Sequence, residues 1–205
     1  MLRKLSTFIP IIWGVIFAAS VIEVSNRETE FNMQQLYPSV LNINITTGDI
    51  VTFSEMTDEG EYTRLSLPGF HMSHDVGEPE LPEIHSLIEI PQEASPYIEI
   101  VSSKYRDYSL TDLGISTPIF PAQPSLSKSQ NPGDNPFSIN TEVYSKNTLL
   151  QKEIVSVIIE GQLRAIQIAN LNIRPIEYNP VKNILRVYTS LEINIHMEGA
   201  DFTKT

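Results

Sequence analysis

Residues Ile184 to Glu198 read ILRVYTSLEINIHME, and every second residue from Leu185 to Met197 is apolar apart from Thr189. The other register carries Arg186, Tyr188, Ser190, Glu192, Asn194, His196 and Glu198. Period-two alternation gives a strand one apolar and one polar face, so one face meets a core and the other meets water. A helix would scatter the same apolar residues around its circumference. At about 3.3 Å per residue, Leu185 to Met197 would reach roughly 40 Å, which is long for one strand. A bend or bulge is therefore expected near Thr189-Ser190. Upstream, Pro175 and the Asn179-Pro180 pair break the ladder and turn the chain.

The rest of the chain supplies partners for this strand. Val40 to Ile45 alternates, Thr46 to Asp49 reads as a turn, and Ile50 to Phe53 answers it, which predicts a β-hairpin. Tyr62 to Leu67 reads as a strand stopped by Pro68-Gly69, and Ile84 to Ile90 as one ended by Pro91. Tyr97 to Tyr108 begins as a strand, with Ile98 and Ile100 on one face. Gly69 to Pro82 reads as a loop. Thr117 to Pro136, with five prolines, reads as an ordered crossing loop that becomes flexible around Ser125 to Asn135. Glu153 to Glu160 is a buried-looking strand, and Gly161-Gln162 reads as a tight turn. Beyond it, Ile166 and Ile168 share one parity and Leu171 and Ile173 the other, so a slip at Ala169-Asn170 predicts a bulge or two short strands. No helical window is convincing. Many strands with proline turns indicate an all-β fold, an antiparallel β-sandwich or jelly-roll-like single domain.

Composition narrows the chemistry. The 205 residues include no cysteine, which excludes a thiol nucleophile, a disulfide framework and a thiolate metal site within the chain. Formal charge is -11, so the surface repels phosphate backbones and argues against nucleic-acid binding.

Residues 1–20 carry Arg3 and Lys4, an apolar run from Phe8, and a small-x-small site at Ala18-Ala19-Ser20. This pattern predicts a secretory signal peptide cut after Ser20 or a few residues later. An uncleaved anchor is the weaker alternative, because the 15-residue apolar run from Phe8 to Ile22 is shorter than the ~20 residues a membrane span needs. Loss of Arg3 and Lys4 takes the basic count from 14 to 12 against 25 acids, for a net charge of -13. Export without cysteine points to a bacterial envelope or extracellular protein. Val21 to Leu36 is weakly patterned and reads as a flexible leader.

Several motifs occur in order: Gly77-Glu78-Pro79-Glu80-Leu81-Pro82, Ile88-Glu89-Ile90-Pro91, and Pro121-Ala122-Gln123-Pro124-Ser125-Leu126-Ser127-Lys128. Gly161-Gln162-Leu163-Arg164, Pro175-Ile176-Glu177-Tyr178-Asn179-Pro180 and the long strand ending Met197-Glu198-Gly199-Ala200-Asp201 follow them. The series resembles the N-terminal propeptide of gingipain-type cysteine peptidases, the C25 family, and covers roughly Gln35 to Asp201. The resemblance implies a non-enzymatic β-sandwich pro-domain, residues 37–201, with 202–205 opening a linker to a downstream caspase-like catalytic domain. It implies that the domain helps the peptidase fold and holds it latent by occupying the active-site cleft. A basic loop residue would enter a pocket that is acidic because these enzymes cut after Arg or Lys. Ala165 stands after Arg164 where the family pattern leads one to expect glycine.

Lys146, in Tyr144-Ser145-Lys146-Asn147, and Lys128, in the proline-rich loop, are the candidates for that basic residue. The competing reading of each is an ordinary solvated lysine. His71, His74 and Asp75, with Glu78 and Glu80 nearby, form the one metal-like cluster, although loops collect such residues without binding metal. No nucleophile-elbow motif accompanies the serines, histidines and aspartates, and no cofactor is implied. Arg164 reads as a solvent-facing strand residue, and Tyr178 as a corner ring with its hydroxyl on backbone. The alternative function is a free-standing secreted adhesion or ligand-binding module. Its sugar-binding form is disfavoured because Trp13, the one tryptophan, belongs to the signal.

Overall fold

The computed structural model describes residues 19–127, 136–150, 152–163 and 166–202. Its elements are almost all antiparallel strands: β1 (Ala19–Ile22), β2 (Glu30–Tyr37), β3 (Val40–Thr46), β4 (Ile50–Thr57), β5 (Gly60–Ser66) and β6 (His71–Met72). They continue with β7 (Pro82–Ile90), β8 (Ser95–Ser109), the one-turn helix α1 (Thr141–Tyr144), β9 (Val155–Leu163), β10 (Ile166–Ile173), β11 (Ile176–Asn179) and β12 (Ile184–Glu198).

β12 is the axis of the molecule. One edge pairs along its whole length with β8. The other edge pairs first with β11, through Ile184 to Val187, and then with β3, through Ser190 to His196. The changeover falls at Thr189, where the β8 register also slips by one residue. The bulge expected from strand length is therefore present, and it marks the handover between two partners. Leu185, Val187, Leu191, Ile193, Ile195 and Met197 are all buried on the face that the alternation assigned to the core.

The two halves of that face meet different sheets. Leu191, Ile193, Ile195 and Met197 pack with Leu41, Ile43 and Ile45 of β3 against Ile84, Ile88 and Ile90 of β7 and Ala169, Leu171 and Ile173 of β10. Leu185 and Val187 pack instead with Ile22, Ile50, Leu65, Leu67, Leu110, Ile119, Ile176 and Tyr178. The long sheet (β8, β12, β11, β3, β2) is thus covered at one end by β6-β7-β10-β9 and at the other by β1-β4-β5. The architecture is an all-β sandwich with two apolar clusters along one strand.

Four details depart from expectation. β3 and β4 are strands but do not form a hairpin: β3 pairs with β2 and β12, and β4 with β1 and β5. Between them Thr47 donates its N–H to Thr189 O at 3.2 Å and its hydroxyl to Tyr188 O at 2.6 Å, which carries the chain from one sheet to the other. The stretch read as a flexible leader is built into the fold. Ile22 is buried, and β2 forms an exposed edge strand on β3. Neither face of β2 is buried, so it has no alternation to read. Gly161 and Gln162 lie inside β9, opposite Ile168 and Gln167, and not in a turn. The bulge expected near Ala169-Asn170 lies in this same strand, with Glu160 as its extra residue: Ile168 faces Gly161 and Ala169 faces Ile159, while β10 runs in unbroken register with β7. Finally, the Gly69 to Pro82 loop contains β6, which pairs with the start of β7.

Candidate functional site

The proline-rich crossing segment is laid into the sandwich as a strand without being one. Thr63 N–H donates to Pro118 O and Phe120 N–H returns to Thr63 O, both at 2.8 Å. On the other side Glu80 N–H donates to Phe120 O at 2.9 Å, Ala122 N–H to Glu78 O at 2.8 Å, and Gly77 N–H to Ala122 O at 2.7 Å. The Gly77-Glu78-Pro79-Glu80 and Pro121-Ala122-Gln123 motifs are therefore bonded to each other. Each proline lacks an N–H, and the ladder uses the amides between them. Gly77 has φ +81°, and a Cβ there would stand 3.0 Å from Asn140 N, so only glycine fits without strain.

Side chains reinforce this root. Phe120, Tyr62 and Phe137 form an aromatic triad with ring centroids 5.3 to 5.9 Å apart. The Arg64 guanidinium lies 3.7 Å over the Phe120 ring and pairs with both Glu55 and Glu80. Burial raises the Glu80 pKa, and the Arg64 charge opposes that shift. Gln123 Nε2 donates to Pro121 O at 2.9 Å and Ser138 O at 2.8 Å, while Ser138 N–H donates back to Gln123 Oε1 at 2.9 Å.

α1 follows directly. Asn140 donates its N–H to Gly77 O at 2.8 Å and caps the turn, its Oδ1 accepting from Val143 N–H at 3.2 Å. Tyr144 donates its hydroxyl to Ile119 O at 2.7 Å, tying α1 to the crossing segment. Burial raises the Tyr144 pKa. Lys146 emerges one residue after the C-cap, exposed, beside a shallow cleft lined by Glu78, Val143, Thr148, Leu149, Leu150 and Lys152. Among the described residues Arg64, Lys152, Arg174 and Arg186 are held by carboxylates, whereas Lys146 is not. Lys128 lies outside the described residues, as do Arg164, Ala165 and residues 1–18, where a signal peptide is expected.

The histidines and acids of the Gly69 to Pro82 loop serve other partners. Asp75 and Glu78 both bind Lys152 Nζ, at 2.5 and 2.8 Å, and the Lys152 hydrogen bond lowers the Asp75 pKa. His74 is exposed. The His71 ring lies 6.3 Å from that of His85, because the β6–β7 ladder sets His71 opposite Glu83. Glu83 is buried and accepts from Arg174 Nε at 2.9 Å, with His85 Nε2 at 2.6 Å. Among the described residues no group of three or more His, Asp or Glu side chains is placed to hold a metal ion. Tyr178 is fully buried at the corner as expected, but its hydroxyl donates to the side chain of Asn183 at 2.8 Å.

The sequence profile of the propeptide family of C25 peptidases matches residues 25–204. The chain belongs to that family. It is accordingly a non-catalytic pro-domain of gingipain type. It is 36% identical over 149 residues to Lys-gingipain HG66 of Porphyromonas gingivalis, covering 73% of this chain and 9% of that protein. It is 23% identical over 173 residues to gingipain R2 of the same organism, covering 84% of this chain and 21% of the relative. The chain thus spans about a tenth to a fifth of the length of these relatives. Its fold matches a solved structure described as addressing the zymogenic latency of gingipain K from P. gingivalis. The TM-score is 0.81 at 29% identity, covering 89% of this chain and all of that one. A second match, the complex of P. gingivalis RgpB pro- and mature domains, has TM-score 0.71 at 20% identity, covering 85% and 88%, and supports the fold alone.

Proposed function

We propose that this pro-domain keeps a C25 cysteine endopeptidase latent by occupying its active-site cleft, and assists its folding. The observation that carries the reading is the near-complete structural match to the chain studied for zymogenic latency of gingipain K. The partner is the cognate peptidase domain, encoded downstream. The setting is extracellular or cell-envelope, reached through the signal peptide read at residues 1–20. A lysine enters the partner's specificity pocket, and Lys146 and Lys128 are the two candidates. A Lys-preferring partner fits the higher identity to Lys-gingipain than to gingipain R2. A desolvated ammonium facing a pocket carboxylate makes a strong charge-assisted contact.

The test is inhibition of a Lys-specific C25 peptidase by the purified chain, with Lys146→Ala and Lys128→Ala beside it. Nanomolar inhibition, weakened more than tenfold (about 1.4 kcal/mol) by one substitution, supports the reading and names the lysine. Absence of any binding to the peptidase refutes it.

A further inference from the structure

We propose that Gln123 is a positioning residue for latency: its carboxamide locks together the two ends of the proline-rich segment and sets the base from which the inhibitory lysine is offered. The inference rests on the pro-domain reading and goes beyond it. Gln123 uses both its amide nitrogen and its amide oxygen on Ser138, at 2.8 and 2.9 Å, so the side chain bridges residues 123 and 138 much as a pair of backbone amides would, and the same nitrogen also holds Pro121 O at 2.9 Å. A carboxamide that donates and accepts at once has one orientation, and that fixes the separation of the two stretches it joins. The lock lies at the junction of everything that presents the face. Upstream, Phe120 and Ala122 are laddered onto Glu78 and Glu80. Downstream, Phe137 fills the aromatic triad and Asn140 caps the helix that precedes Lys146. The lock therefore bounds the segment that carries Lys128 and sets the start of the helix that leads to Lys146.

Its place in the fold separates this role from general stability. Gln123, Phe137 and Ser138 belong to neither apolar cluster. Gln123 is half-buried, beyond the layers that hold the sandwich together. Removing its amide should leave the two cores intact while freeing the ends of the segment. A binding element whose ends are free must be ordered on docking, and that cost appears as weaker affinity, chiefly through faster dissociation.

The experiment measures association and dissociation of the purified chain with a Lys-specific C25 peptidase for Gln123→Ala and Gln123→Glu, alone and combined with Lys128→Ala and with Lys146→Ala. Gln123→Ala should raise the dissociation constant at least tenfold. Its thermal midpoint should stay within about 3 °C of wild type. Gln123→Glu keeps the acceptor for Ser138 N–H and loses the donor, so it should fall between the two. In the background of the lysine that enters the pocket, the Gln123→Ala effect should shrink to less than twofold, because a positioning residue has nothing left to position. Hydrogen exchange at the Ser138 amide should be slow in wild type and fast in Gln123→Ala, which shows that the lock was opened. Wild-type affinity for Gln123→Ala with an exchanging Ser138 amide overturns the proposal, as does an equal loss in both lysine-deleted backgrounds. Loss of inhibition on lysine deletion with none for Gln123→Ala refutes the lock and keeps the latency reading. If the wild-type chain does not bind, the latency reading fails and the lock fails with it.

Discussion

The corner formed by Tyr178 and Asn183 offers a measurement in which two physical contributions can be separated. Asn183 is buried and adopts φ +51°, a left-handed conformation that asparagine tolerates better than most residues. Its Oδ1 accepts the Tyr178 hydroxyl at 2.8 Å, and its Nδ2 donates to Ile115 O at 2.9 Å. Tyr178 is fully buried, and desolvation pushes its pKa up to about 12, so the hydroxyl remains a donor at assay pH. Tyr178→Phe keeps the ring and orphans Oδ1, which should cost about 1 to 2 kcal/mol. Asn183→Gly suits the backbone but strands both the tyrosine hydroxyl and the Ile115 carbonyl, for about 2 to 4 kcal/mol. Asn183→Ala loses the same bonds and adds roughly 1 kcal/mol of left-handed strain. The double variant Tyr178→Phe, Asn183→Gly should cost about 1 kcal/mol less than the sum, since the shared bond is lost once. Urea denaturation monitored by tyrosine fluorescence reads these differences as midpoint shifts at constant m. By thermal melting each kcal/mol corresponds to about 2 to 4 °C for a chain this size. Equal stability of Asn183→Gly and Asn183→Ala would refute the strain argument. Additivity in the double variant would refute the pairing.

Ile193→Ala, at a fully buried site on β12, should cost about 2 to 5 kcal/mol, whereas Ile100→Ala, facing it from the exposed β8, should cost under about 1 kcal/mol; urea midpoints distinguish the two. Gly48→Ala would place a Cβ 2.6 Å from Thr29 N and 2.7 Å from Arg27 O, so it should destabilise by about 1 to 3 kcal/mol and speed proteolysis after Arg27, checked by limited digestion. Asp49 Oδ1 accepts the backbone N–H groups of Val24, Ser25 and Asn26, which hold its pKa below the ordinary aspartate value. Its stabilisation is complete above that ordinary value and is lost as pH falls through the lowered one. The stability gap between wild type and Asp49→Asn should therefore hold from about pH 7 down to about pH 4 and narrow only below it, measured by urea midpoint across the range.

What could be read from the chain depended on which residues face a core. β12 was legible because its apolar register is buried along nearly its whole length. The slip read at Ala169 marked a real irregularity but not its owner: β10 keeps one buried parity through Ala169, Leu171 and Ile173, and the extra residue belongs to its partner β9. Pairing was less legible. β3 and β4 both alternate, but alternation says nothing about which neighbour a strand takes, and the Thr47 bonds that separate them involve residues 141 and 142 positions away. β2 left no trace because an edge strand exposed on both faces needs no pattern. At the candidate site, the glycine, proline and glutamate motifs were visible as residues. Their mutual ladder was not, because Pro79 and Pro121 meet only in the folded chain. The metal-like cluster dissolved for a similar reason: strand pairing gave His71 to His85, and lysine and arginine claimed the acids.

The sharing of β12 between two apolar clusters also governs how the molecule can assemble. β3 and β12 are joined by contacts such as Asn42 Nδ2 to Asn194 Oδ1, 152 residues apart. A chain emerging from its N-terminus can form the β2–β3, β4–β5 and β6–β7 pairs early, but both clusters stay open along one side until β12 arrives. That topology has high contact order, so loop-closure entropy must be met before the contacts that repay it. Acquisition of structure should thus be slow and late, with β12 closing both halves in a single step.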